Sequence, residues 1–165
     1  NCPNCSTDKQ KFMVIGAAAL SEEDSVQRLA NAYRRAALKV KGLPIYNPTI
    51  AVEAVGFREH EGRQVGVIVT PWFMNLTVIP AASDLGGWAA GRTARLGFPS
   101  GAYDFAVSDL LGFGLVGTCP LFSTMLDFTD HEAAQLAAKT IAAAVFEPEQ
   151  PAPSPTVSRR QLLGG

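Results

Sequence analysis

The stretch Gln64-Val-Gly-Val-Ile-Val-Thr70, followed at once by Pro71, decides the fold class of this chain. Its valines and isoleucine are typical of a strand, and the proline ends the strand because it has no N–H to donate to a neighbour. A turn at Glu61-Gly62 comes before it, so residues 50–59 are predicted to form its hairpin partner. Residues 73–79 predict the next strand, and Pro80 ends it.

More strands are predicted beyond a small, Gly-rich segment. Residues 92–98 and 101–107 flank Pro99-Ser100 and predict a second hairpin. Residues 112–119 form a further apolar strand, and we expect Pro120 to end it.

A helix is predicted at each end of this run of strands. Ser21 is the expected cap of the first helix, and Gly42 is its expected stop. Thr129 is the expected cap of the last helix, with Glu132 completing a capping box. The predicted apolar stripe of that helix consists of Ala133, Leu136, Ala137, Ile141, Ala144 and Val145. We therefore predict an α+β fold: a mostly antiparallel sheet of five or six strands, flanked by an N-terminal and a C-terminal helix.

Composition indicates one compact globular domain. Hydrophobic residues make up 47% of the 165 residues and charged residues 18%. A net charge of −1 gives no electrostatic reason to expect a nucleic acid or an anionic membrane as partner. Proline and glycine break the apolar stretches, so no segment is expected to span a bilayer. The three cysteines are too few and odd in number for a disulfide framework, which favours a reducing compartment.

Three segments are expected along the chain. Residues 1–15 form a short segment around two cysteines, polar up to Lys11; residues 16–147 form the α+β domain, and residues 148–165 form a Pro-rich linker with a basic and apolar tail. The chain begins with Asn1 and not with Met, so we expect its start to be a cut in a longer protein.

Residues that could carry catalysis are scarce, and we predict that the chain is not an enzyme. His60 and His131 are expected to be surface residues, without cysteines at zinc-ligand spacing. The segment Gly112-Phe-Gly-Leu-Val-Gly117 has the spacing of a dinucleotide-binding loop but continues into Thr118, so we interpret it as a strand. A weaker alternative is a small-molecule enzyme that uses the scattered residues Asp104, Asp109, Asp127 and Asp130.

Cys2-Pro-Asn-Cys5 is the sharpest local motif. Two cysteines at this spacing can hold one tetrahedral metal ion, but four ligands are needed. Cys119 lies in a predicted core strand and cannot complete the set. We expect no cofactor in this chain, and a redox role for the pair would require a thioredoxin-like helix after it.

A sheltered apolar groove is the predicted binding site. Pro71, Trp72, Phe73 and Met74 bring large apolar side chains together, with Trp88 and the cluster around residues 122–128 expected nearby. Such a groove could hold a peptide, and the alternative for most of these residues is core packing. The tail residues Arg159, Arg160, Leu162 and Leu163 either join this contact or bind back to their own domain.

Several segments resemble the HybE/HupJ family of hydrogenase-assembly proteins, in matching order and separation over about residues 20 to 165. The matching segments are Val67-Ile-Val-Thr-Pro-Trp-Phe-Met74 with Val78-Ile79-Pro80, Phe98-Pro-Ser-Gly-Ala-Tyr-Asp-Phe105, Cys119-Pro-Leu-Phe-Ser-Thr-Met125 and Ser158-Arg-Arg-Gln-Leu-Leu-Gly164.

Asn1 to Ile15 resembles something different, the second half of a rubredoxin. Cys2, Cys5, Lys9, Lys11 and Phe12 are similar to the closing knuckle of that iron-binding module. The first knuckle is missing here, so the resemblance implies iron only in a full-length protein.

The HybE/HupJ resemblance implies a cytoplasmic chaperone that binds immature [NiFe]-hydrogenase subunits. For some members the partner is the precursor of the small subunit with its twin-arginine signal, held until its cofactors are inserted. The family supplies no catalytic residues. The alternative implied by the rubredoxin half is an accessory protein for electron transfer or oxygen protection during hydrogenase maturation.

Overall fold

The computed structural model describes residues 22–148, which form two helices and six strands. The elements, in chain order, are α1 (Glu22–Val40), β1 (Glu53–His60), β2 (Arg63–Val69), β3 (Met74–Ile79), β4 (Thr93–Phe98), β5 (Gly101–Leu110), β6 (Gly114–Phe122) and α2 (His131–Val145). The cap expected at Ser21, the predicted segment 1–15 and all of the predicted segment 148–165 except Pro148 lie outside the described residues.

All six strands form one antiparallel sheet in the order β1-β2-β3-β6-β5-β4. The α+β prediction, with a helix before and a helix after the sheet, is confirmed. The pairing of β2 with β3 places Val67 opposite Leu76, and both are fully buried. The first strand begins three residues later than expected. The apolar residues Ile50 and Val52, which suggested an earlier start, are buried in the connection that precedes it.

The two faces of the sheet are covered by different elements. The larger core lies between the sheet and α2, and it takes alternate residues of β2 and β3, such as Val67 and Leu76. The smaller core lies between the sheet and α1, and its buried members are Leu29, Tyr33, Val52, Ile68 and Val116. Since side chains alternate across a strand, neighbours such as Val67 and Ile68 belong to opposite cores.

The sheet curls around α2 until its two edge strands approach each other. Nε2 of His60, the last residue of β1, lies 3.3 Å from the carbonyl oxygen of Gly97 in β4. The His60 ring stacks on Phe98 at 5.0 Å between centroids and meets Phe146 edge-on at 5.5 Å. These rings lie at the C-terminal end of α2 and cover that end of the larger core.

The prediction that Pro120 ends the sixth strand is wrong. Strand β6 runs through Pro120 to Phe122 and pairs Pro120 with Asn75 of β3. The last β6 residue paired with β5 is Thr118, so from Cys119 onward β6 has a partner on one side only. A strand with a free edge tolerates a proline, because no ladder hydrogen bond is required there.

The predicted cap of the last helix is displaced by one residue, and its predicted apolar face is right only in part: Val145 is buried, and Ala137 and Ile141 pack on the core. The N-cap is Asp130, not Thr129, and its Oδ1 accepts the N–H of Ala133 at 2.8 Å. The buried face consists of Ala134, Ala138, Ala142 and Val145, whereas Leu136 is 67% exposed. Small residues are needed on this face because α2 packs closely on β1: a Cβ on Gly56 would lie 2.7 Å from the Cβ of Ala142.

Within residues 22–148, neither helix combines the length and the apolar character that crossing a membrane requires.

Candidate functional site

Asn47 joins three loops at one end of the sheet. Its side-chain amide donates to the carbonyl oxygens of Met125 at 2.8 Å and Phe128 at 3.0 Å. Its backbone N–H donates to the carbonyl of Pro71 at 2.8 Å. Its Oδ1 accepts the N–H and the hydroxyl of Thr49 at 3.0 and 2.7 Å. The residue is buried, so these bonds hold the three loops in fixed positions.

The loop between β2 and β3 is a tight turn organised by Thr70. The Thr70 hydroxyl accepts the N–H groups of Trp72 and Phe73, and it donates to the carbonyl of Phe73 at 2.8 Å. Pro71 is buried, whereas Trp72 and Phe73 are half-buried. The Phe73 ring lies between Trp72 at 5.2 Å and Tyr33 of α1 at 5.8 Å. Trp72 is therefore held with a partly exposed ring.

We call the surface formed by these three loops the Asn47 junction. It comprises residues 43–49, Thr70 to Phe73 and residues 121–128. Eight large apolar residues among those described are markedly exposed, and four of them belong to this surface: Leu43 and Ile45 at 50%, Phe122 at 37% and Leu126 at 55%. Half of the exposed large apolar residues described thus lie on loops that one buried side chain joins, and exposed apolar surface is typical of protein-binding sites.

One part of the Asn47 junction is a shallow cavity of about 270 Å³. It is lined by Leu121, Phe122, Ser123, Thr124, Asp127 and Phe128. The rings of Phe122 and Phe128 meet edge-on at 5.2 Å and form its wall. The volume suits one aliphatic or aromatic side chain rather than a metabolite.

The predicted groove differs from the Asn47 junction in two of its members. Met74 has no exposed surface and belongs to the core beneath α2. Trp88 lies on the other face of the sheet from Trp72: it packs on the α2 side, over Gly117 and Phe105, whereas Trp72 packs on the α1 side. The expectation that Trp88 lies near Trp72 is therefore wrong, because alternation along the strands separates the two rings.

The predicted residues 122–128, in contrast, do lie beside the turn that carries Trp72. Asn47 connects the two through its bonds to Pro71, Met125 and Phe128. Sequence reasoning missed Asn47 itself, as well as Leu43 and Ile45. The only local signal is the pair Asn47-Pro48, which is typical of a turn.

The sequence suggested that the two histidines are solvated surface residues. In the structure both have hydrogen-bond partners within the protein. His131 approaches Glu53 through Nε2 at 2.6 Å, and its Nδ1 accepts the N–H of Ala51 at 3.3 Å. Gln135 donates to the other carboxylate oxygen of Glu53 at 2.9 Å. This arrangement ties the start of α2 to β1, and no nucleophile is among these contacts.

Metal-ligating side chains do not assemble within residues 22–148: no three of His, Cys, Asp or Glu lie close enough to hold an ion. Cys119 is half-buried, and burial, followed by the charge of Asp104, raises the pKa of its thiol. Cys2 and Cys5 lie outside the described residues, as do Arg159, Arg160, Leu162 and Leu163. The segment from Gly112 to Gly117 leads into a strand, as expected, and not into a helix, although the strand begins at Gly114, after a turn.

The chain as a whole resembles known proteins. Residues 24–165 match the family described as "[NiFe]-hydrogenase assembly, chaperone, HybE". The hydrogenase expression/formation protein HupJ of Bradyrhizobium diazoefficiens is 38% identical, over 92% of this chain and 96% of that protein. The probable rubredoxin HupJ of Rhodobacter capsulatus is 39% identical over 90% of this chain, which spans 57% of that longer protein. The solution structure of HybE from Escherichia coli has the same fold, with a TM-score of 0.60 at 22% identity over 86% of this chain and 89% of that one.

Proposed function

This chain belongs to the HybE family of [NiFe]-hydrogenase assembly chaperones, and on that premise we propose that it binds an immature hydrogenase subunit through the Asn47 junction. The subunit would be held in the cytoplasm until its cofactors are inserted. The precursor of the small subunit, with its twin-arginine signal, is the partner we favour.

The observation that carries this proposal is the Asn47 junction itself. Three loops are joined by the buried Asn47; they expose Leu43, Ile45, Phe122 and Leu126, and one of them carries the half-buried Trp72. A surface that must hold an unfinished subunit needs apolar contacts that form without reorganisation, because ordering a loop on binding costs free energy. The fixed loops satisfy that requirement.

The expected affinity is modest. Burying a tryptophan and two or three aliphatic side chains gains several kcal/mol gross at about 25 cal/mol per Å² of apolar area. Lost translational and rotational freedom offsets much of that gain, so a Kd of about micromolar order is expected. Such a complex forms and dissociates readily, as release of a matured subunit requires.

The C-terminal tail is the second contact that we propose. Arg159, Arg160, Leu162 and Leu163 would extend the surface beyond the domain, on a linker that contains four prolines between residues 148 and 155. Proline-rich linkers generally adopt extended, semi-rigid conformations, so we expect this one to keep the tail available for a bound subunit.

Co-purification from cells that express the cognate hydrogenase operon tests the proposal. Trp72→Ala and Leu126→Asp should each abolish capture of the subunit precursor, and Leu85→Asp should leave capture unchanged. Leu85 is the matched control because it is equally exposed, at 55%, and lies outside the Asn47 junction. Leu126 is a surface residue, so its substitution leaves the fold intact. Undiminished capture by both folded variants would remove the Asn47 junction from the proposal.

A second candidate function is suggested by one relative. The longer HupJ of Rhodobacter capsulatus is named a probable rubredoxin, and Cys2 and Cys5 match half of such a site. In a full-length protein, a complete four-cysteine site would bind iron and serve electron transfer or protection from oxygen during maturation.

A further inference from the structure

An apolar cavity of about 340 Å³ lies between α1 and the turn that joins β5 to β6. It shares no lining residue with the Asn47 junction. Leu111, at the tip of the turn, is 80% exposed, more than any other large apolar residue described. The lining residues are Ala32, Arg35, Ala36, Lys39, Leu110, Leu111 and Gly112.

The helical wall of this cavity combines a small apolar floor with two cations. Residues 32, 35, 36 and 39 have the spacing that places side chains on one face of a helix. Ala32 is 2% exposed and Ala36 is half-buried. Because each side chain is a single methyl group, the two alanines leave room for a side chain from outside. Arg35 and Lys39 are exposed, and they stand one turn apart beside that floor.

Arg35 contacts the turn opposite. Its Nη2 lies 3.5 Å from the carbonyl oxygen of Gly112, and a Cβ on Gly112 would lie only 2.7 Å from that nitrogen. Gly112 also has φ +82°, which favours glycine. The absence of a side chain at Gly112 thus lets the guanidinium lie against the turn. An arginine has five N–H donors, so donors are left for a second acceptor.

We propose that this cavity binds a short segment of another protein in which an aliphatic side chain is flanked by carboxylates. The aliphatic side chain would enter between Ala32, Ala36 and Leu111, and the carboxylates would pair with Arg35 and Lys39. The nearest acidic residue along the turn is Asp109. Leu110 packs on the α1 side, so alternation directs Asp109 to the opposite face, away from these cations.

Charge argues against the two ends of this chain as occupants. Residues 1–21 carry Asp8 against Lys9 and Lys11, and residues 149–165 carry Glu149 against Arg159 and Arg160. Counting side chains alone, each end has a net charge of +1, which Arg35 and Lys39 would repel. An acidic segment from a separate protein is complementary. This inference does not depend on the hydrogenase subunit proposed above.

Fluorescence anisotropy with two labelled synthetic peptides tests the inference on the full chain. One peptide has two leucines between pairs of glutamates, and the other has the same leucines between pairs of lysines. The acidic peptide should bind about tenfold more tightly than the lysine peptide, and raising the salt concentration should weaken its binding. Equal binding of the two peptides, or no saturable binding of the acidic one, would overturn the inference.

Charge and shape are separated by two pairs of variants. Lys39→Glu and Leu111→Asp should each weaken binding of the acidic peptide about tenfold. The matched controls are Lys139→Glu on α2 and Leu85→Asp, both on exposed residues away from the cavity. Since Lys39 and Leu111 are exposed, their variants should keep the circular dichroism spectrum of the wild type. Unchanged binding by both, or a dimer in sedimentation that Leu111→Asp dissociates, would contradict the proposal.

Discussion

Arg63 and Asp84 form a bidentate ion pair: Nε of Arg63 donates to Oδ2 of Asp84, and Nη2 donates to Oδ1, both at 2.7 Å. Only 17% and 10% of the two side chains are exposed. Asp84 also accepts the N–H of Ala81, and its own carbonyl accepts the N–H groups of Gly87 and Trp88. The pair therefore fixes the loop that places Trp88 over Gly117.

Replacing Asp84 should destabilise the protein. Asp84→Ala removes two charge-assisted bonds to Arg63 and one bond to Ala81, and it leaves a sheltered guanidinium without its carboxylate. We expect a loss of about 1.5–3 kcal/mol in the free energy of unfolding, measured by urea denaturation at neutral pH. Asp104→Ala is the control, because its pair with Arg95 is 69% and 57% exposed and such surface pairs contribute about 0–1 kcal/mol. Equal losses in both variants would contradict this prediction.

The same pair predicts a dependence of stability on pH. The hydrogen bond from Arg63 holds the pKa of Asp84 below its ordinary value of 3.8. A carboxyl with a lowered folded-state pKa contributes stability above its unfolded pKa and loses it as the pH falls through the folded one. The difference in unfolding free energy between wild type and Asp84→Asn should thus be largest near neutral pH and shrink below about pH 4. A difference that stays constant down to pH 2 would exclude this linkage.

Asn47→Ala should loosen the Asn47 junction. The carbonyls of Met125 and Phe128 would lose their donor in a buried place, at a cost of about 1–3 kcal/mol. Hydrogen exchange of the Thr49 amide, which donates to Asn47 Oδ1, should accelerate. Asn47→Asp keeps that acceptor but loses both donors, so it should destabilise the protein while slowing Thr49 exchange relative to Asn47→Ala. Native-like exchange at Thr49 in Asn47→Ala would show that Asn47 does not hold this loop.

Gly66→Ala should be poorly tolerated. The Cβ would lie 2.8 Å from the Cα of Phe57 on the adjacent strand, so the backbone of β1 would have to move. Overpacking of this kind costs about 1–3 kcal/mol, which a shift of the urea midpoint would report. Gly97→Ala is the control, because a Cβ there has no neighbour within 4 Å and the residue has an ordinary φ. If both variants unfold at the wild-type midpoint, the close approach of β1 and β2 at Phe57 is wrong.

Iron binding separates the two candidate functions. We expect this chain to be colourless after expression in iron-rich medium, because Cys2 and Cys5 supply two of the four thiolates that a rubredoxin site needs. A longer form with a first Cys-x-x-Cys pair should instead show the visible thiolate-to-iron absorption, and Cys5→Ser should abolish it. A colourless, iron-free longer form would contradict the redox function and leave the binding function unaffected.

Local sequence patterns predicted most of the secondary structure. The Glu61-Gly62 turn, with φ of +51° and +79°, and the hairpin around Pro99-Ser100 were identified because the turn residues and the alternation of the strands act over a few positions. The antiparallel sheet between two helices followed from the order of these elements. The family resemblance was also in the sequence, since it rests on short segments in a fixed order.

Only the tertiary structure decided which side chains share a surface. Trp72 and Trp88 are separated because they pack on opposite faces of the sheet, and that depends on strand pairing between distant segments. The same cause placed Ala134 rather than Leu136 in the core and allowed Pro120 inside β6. Asn47 gained its role from carbonyls 78 and 81 residues away along the chain. A local pattern determines the type of an element, but the burial of a residue is fixed by what packs against it.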